Sequence, residues 1–119
     1  VKFRAAAACV ALWAAPASAA TLCGTTAAEP AAMRHVLRLR GGVEYFPGGG
    51  SNVETFYDRP RQILWWLPTR RHPAYPAALC VGRRANPEGG SAPMPPEALC
   101  RGNRHECVKL IRRMGRVDW

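Results

Sequence analysis

The chain has 119 residues, 17 basic against 8 acidic, and a formal net charge of +9. With 48% hydrophobic residues it belongs with compact folded chains rather than disordered ones, and its length suits one small domain. The apolar run near its start is shorter than the roughly 20 residues a membrane-spanning helix takes.

That run has the order of a secretory signal peptide. Val1-Lys2-Phe3-Arg4 is positive, residues 5–15 are apolar, and Ala17-Ser18-Ala19-Ala20 carries the small residues of a cleavage box. Residues 1–20 are therefore expected to be a signal peptide and residues 21–119 a single domain, periplasmic or secreted. Cleavage takes Cys9 away and leaves Cys23, Cys80, Cys100 and Cys107. An even cysteine set in an oxidising compartment reads as two disulfides.

Along the expected mature chain, Thr26-Ala27-Ala28-Glu29 has capping-box spacing and Pro30 suits an early helical position, so a helix over about 28–34 is one reading. A second reading competes for the following residues. "HVLRLR" and "VEYF" are two β-prone runs around Gly41-Gly42, and Leu37 and Leu39 alternate with Arg38 and Arg40. The alternation favours a hairpin over 36–46 rather than a helix ending at Gly41. Residues 47–52 form a glycine-rich loop, "VETFYD" a short strand and "RPRQ" a turn. "ILWWLP" is the strongest strand signal, and its unbroken apolar run implies that both of its faces are covered. "TRRHPAYP" is an extended or turning link, "AALCVGRR" another strand, and 85–96 a mobile Pro/Gly loop.

The C-terminal segment is the clearest helix. Asn103 can cap it, with Glu106 in capping-box register. Cys107, Leu110, Ile111 and Met114 recur at i, i+3, i+4 and i+7, so they share one apolar face. Gly115 supplies the stop. Cys107 on that face favours pairing with Cys100, which leaves Cys23 for Cys80. The main rival joins Cys80 to Cys100 and Cys23 to Cys107. The expected fold is α+β: a small antiparallel sheet of about four strands with a C-terminal helix on one face, stapled by disulfides.

The candidate sites are weighed by chemistry. The three histidines and the cysteines show no ligand spacing for a metal, so no metal and no cofactor is expected. His72, His105 and Glu54 are the weak catalytic candidates, because phosphodiester cleavage wants a base, an acid and a nearby arginine. "GGGSN" lacks the lysine of a phosphate-binding loop. Arg70, Arg71, Arg83 and Arg84, close in sequence to Trp66 and Tyr75, form the binding candidate, since arginine and aromatic rings dominate interface energetics.

"ILWWLPTRRHPAYPAALC" followed by "CRGNRHECVKLIRRM" resembles small exported proteobacterial proteins. These share a tryptophan, an H-P-A-x-P-A step and a late cysteine pair before a short helix. The likeness covers about 55–114 and implies export and a shared fold, but no activity. The expected function is that of a non-enzymatic exported binding or interaction protein, inhibitor-like or envelope-associated. Its partner would be an envelope protein or an anionic envelope polymer. No specific nucleic acid is expected, and no transmembrane segment after signal cleavage. The alternatives are a small secreted hydrolase of phosphodiester or cell-wall substrates, and a cationic protein that binds polyanions or membrane surfaces.

Overall fold

The computed structural model describes residues 19–119. The expected signal segment up to residue 18, with Cys9, lies outside the described residues. The fold is α+β: two helices enclose a mainly antiparallel sheet.

Strands β1 (Ala20–Leu22) and β2 (Thr25–Ala27) form a two-stranded ribbon. Its two-residue turn is Cys23-Gly24, with φ of 46° and 77°. Both positive angles fit the twist of a tight hairpin, so a cysteine here occupies a position usually left to asparagine or glycine.

Helix α1 (Pro30–Arg38) follows, with Pro30 in its first turn and Glu29 as an extended N-cap whose side chain makes no capping bond. The Thr26–Glu29 capping box therefore does not form. The helix also runs through the first arm of the hairpin expected over 36–46, and that expectation is corrected. Pro30, Met33 and Leu37 fall at i, i+3 and i+7 and are buried, whereas Leu39 is 74% exposed. A hairpin would place Leu37 and Leu39 on one face. The helix instead adds Met33 to the core and gives up only Leu39. Burying one such side chain stabilises by roughly 1.5–3 kcal/mol, more than a local strand preference supplies. Gly42 then turns the chain at φ 81°, where a Cβ would run into the Pro60 ring.

The main sheet has six strands rather than about four. Strands β3 (Val43–Phe46), β4 (Val53–Asp58), β5 (Ile63–Pro68) and β6 (Ala77–Ala85) lie side by side in chain order. The long β6 then carries two short partners in succession. Strand β7 (Ser91–Pro93) pairs with Arg83–Ala85, and β8 (Glu97–Cys100) pairs with Ala77–Cys80. The Pro/Gly segment after β6 is thus largely ordered by pairing, since its turn Asn86–Gly90 closes on backbone hydrogen bonds of 3.0 and 3.1 Å.

Both faces of the sheet are covered. Ile63, Trp65 and Leu67 point with Phe56, Ala78 and Cys80 toward α1 and the β1–β2 ribbon. Leu64, Leu79 and Val81 point the other way, toward helix α2 (Arg104–Met114). The two tryptophans of "ILWWLP" therefore enter different cores, as the two-face reading of that strand requires. Helix α2 matches its sequence signals: the Asn103 side chain accepts from the Glu106 N–H at 3.1 Å, and Cys107, Leu110 and Met114 are buried. Glu106 itself binds Lys109, so only half of the capping box is made. Gly115 ends α2 at φ −64°, without a left-handed residue. No helix among the described residues is long and apolar enough to cross a membrane.

Two disulfides join these parts. Cys23–Cys80 ties the ribbon to β6, with Cα atoms 6.4 Å apart. Cys100–Cys107 ties β8 to the start of α2 across 6.2 Å. This is the pairing that the buried face of α2 favours.

Candidate ligand-binding cleft

At one end of the sheet three segments converge: the first turns of α1, the β3–β4 loop around Gly48–Asn52, and the β5–β6 connection from Thr69 to Pro76. They enclose a cleft of about 590 Å³, within the range usual for small-molecule sites.

The floor is polar and rigid. Glu54 projects from β4 toward α1 and is only 6% exposed. Its Oε2 accepts from Arg34 Nη2 at 2.9 Å and from the Tyr45 hydroxyl. Register explains the meeting. Tyr45 pairs with Phe56 across β3 and β4, two residues from Glu54 on the same face. The Tyr45 ring is held in turn by Phe56, at 5.0 Å between centroids, and by the Arg38 guanidinium at 5.3 Å. A buried carboxylate needs such partners. Among the described residues both bonds fall on Oε2, and Oε1 has none.

The rim is positive. Arg70 and Arg71 are exposed, line the cleft and form no ion pair among the described residues. Glu54 offsets the charge of Arg34, so the cleft keeps a surplus of two positive charges. The turn that presents them is firmly held. The His72 N–H bonds the Thr69 carbonyl at 2.9 Å, the Tyr75 N–H bonds the His72 carbonyl at 3.0 Å, and the Thr69 N–H reaches across to the Asn52 carbonyl at 2.8 Å. Gly102 lies against the Ala74 and Tyr75 carbonyls so closely that no side chain fits there. Tyr75, whose peptide bond to Pro76 is cis, closes the cleft beside Ala77.

Compared with family models, curated proteins and solved structures, the chain matches none of them.

The cleft gathers four residues named from the sequence: Glu54, Arg70, Arg71 and Tyr75. The others lie elsewhere. Trp66 faces α2 and, with Leu110 and Arg113, lines a smaller pocket of about 190 Å³. Arg83 is bound into the fold, with its Nε 2.8 Å from Ser91 Oγ and its guanidinium over the Trp119 ring and on the Trp119 carbonyl. Arg84 is exposed on β6, away from the cleft. His72 serves its own turn, its Nδ1 accepting from the Ala74 N–H at 3.0 Å. His105 is exposed in the first turn of α2. Among the described residues, neither histidine bonds a carboxylate. One group of potential metal ligands occurs there, Cys23, Cys80 and Glu97, and its two sulfurs are bonded to each other in the disulfide.

Arg34, Tyr45 and Asn52 were not anticipated. Arg34 and Arg38 do stand at i and i+4, which marks a polar helical flank once the segment is read as a helix. No local signal announces Tyr45 or Asn52, because β-pairing and loop contact bring them to the cleft.

Proposed function

We propose that this protein is a non-enzymatic binding protein of an exported compartment, periplasmic or secreted, and that its cleft takes a small anionic ligand. The observation that carries this reading is the pair Arg70 and Arg71, unpaired on a hydrogen-bonded turn above the fixed Arg34–Glu54–Tyr45 floor. Two guanidiniums held on a rigid support suit a phosphate or carboxylate, which each can grip through two N–H donors. The free Oε1 of Glu54 adds a demand of its own. It asks the body of the ligand for a donor, either a hydroxyl or an amine. A phosphorylated amino sugar has both features. Two disulfides and the signal-peptide order of the first 20 residues support export. The hydrolase alternative draws no support from the histidines, which lie outside the cleft's lining.

Calorimetric titration of the oxidised protein tests the reading, with glucosamine 6-phosphate and inorganic phosphate as probes. The amino sugar should bind more tightly than phosphate. Arg70→Gln/Arg71→Gln should weaken both by at least about tenfold, because charged hydrogen bonds are lost. Glu54→Gln should narrow the difference between the two probes. Absence of binding, or affinity indifferent to the double substitution, refutes the proposal.

A further inference from the structure

Helix α2 carries a charge pattern that the fold does not use. His105, Lys109, Arg112 and Arg116 stand at i, i+4, i+7 and i+11, so they follow one line along the helix and the turn after it. Arg113 flanks the line, and all five are exposed. The line runs opposite Cys107, Leu110 and Met114, which are packed on the sheet. It extends about 16 Å at the ordinary helical rise. Among the described residues its sole ion pair is Lys109 with Glu106. The helix dipole favours cations in the last turn, which covers Arg112 and Arg113. It does not cover Lys109, and the like charges of Lys109, Arg112, Arg113 and Arg116, three and four apart, repel one another.

We propose that this ridge of α2 is a docking surface for a membrane whose headgroups carry anionic phosphates. Three features choose that partner. His105, Lys109, Arg112 and Arg116 share one exposed side of α2, so a plane can meet these four side chains at once, while Arg113 at the edge borders the smaller pocket beside Trp66 and Leu110. Three of the five groups are arginines, whose planar forks match phosphate oxygens. The apolar side of α2 is already committed to the core, so contact rests on charge, without insertion. Such contact falls off within a Debye length, about 10 Å at 0.1 M salt and 3 Å at 1 M. The ridge shares no residue with the cleft, so the two proposals stand or fall separately.

Vesicle co-sedimentation of the oxidised protein tests this. Vesicles containing phosphatidylglycerol should carry the protein down at low salt, pure phosphatidylcholine vesicles should not, and about 1 M salt should release it. Arg112→Gln/Arg116→Gln should weaken binding about thirtyfold. Arg59→Gln/Arg84→Gln removes the same charge elsewhere and should change it by no more than about threefold, since only groups near the surface feel its potential. All four positions are exposed, and near-ultraviolet circular dichroism verifies that each variant keeps its packing. The proposal is overturned if the ridge variant binds like the parent, if the two variants weaken equally, or if the protein ignores the vesicles. Capture by inorganic polyphosphate without vesicle binding would also overturn it, in favour of a linear polymer.

Discussion

Removing one disulfide at a time should expose a large inequality between the two. Cys23–Cys80 spans 57 positions of the chain and Cys100–Cys107 spans 7. In the chain-entropy account, cross-linking n residues lowers the entropy of the unfolded ensemble by about 2.1 + 1.5R ln n cal/mol/K. At 25 °C this comes to about 4.2 kcal/mol for the long loop and about 2.4 kcal/mol for the short one. Packing losses largely cancel in the comparison. Each bridge has one fully buried cysteine, Cys80 or Cys107, and one half-buried, Cys23 or Cys100. Truncating either pair to alanine therefore removes similar contacts. The proper assay is urea unfolding of the oxidised parent, C23A/C80A and C100A/C107A, followed by far-ultraviolet circular dichroism. C23A/C80A should be the less stable variant by about 2 kcal/mol, a large share of the 5–15 kcal/mol usual for a domain. Its m-value should rise more, because the unlinked denatured chain exposes more surface. Equal midpoints, or C100A/C107A as the weaker variant, would refute the reasoning.

Leu37→Ala should cost about 2–5 kcal/mol and Leu39→Ala no more than about 0.5, measured by the same unfolding assay. A hairpin over 36–46 would set both leucines on one face and make their costs similar. Asp58 is fully buried and accepts from Arg40 at 3.4 Å and from Arg61 at 3.2 Å. Asp58→Ala leaves Arg40, with a side chain only 22% exposed, without that partner, and should cost about 3 kcal/mol in thermal unfolding. Glu44→Ala, at the exposed pair with Arg59, should cost under about 1 kcal/mol in the same measurement.

Much of the architecture was legible residue by residue. The limits of α2 follow from Asn103, the 3–4 spacing of Cys107, Leu110 and Met114, and Gly115, all of them interactions within one or two turns. The burial of β5 on both faces follows from its unbroken apolar run. The site was less legible. Glu54, Arg70, Arg71 and Tyr75 could each be named as chemically interesting, but their assembly with Arg34 and Tyr45 depends on β3 lying beside β4 and on the first turn of α1 reaching the same end of the sheet. Trp66 shows the converse. It is close to Tyr75 in sequence, yet strand alternation and the β5–β6 turn send the two rings to different pockets.

By itself, then, the sequence determined the α+β class, the capped C-terminal helix and the doubly covered central strand, because caps, turns and side-chain periodicity act over a few residues. Only the tertiary structure decided between helix and hairpin at 36–46, ordered the Pro/Gly segment into β7, and chose one cysteine pairing. The choice of helix over hairpin compares local preferences of a few tenths of a kcal/mol with the several kcal/mol of burying Met33 and Leu37 in the core that holds Trp65. That larger quantity depends on distant parts of the chain, which meet only once the sheet is formed.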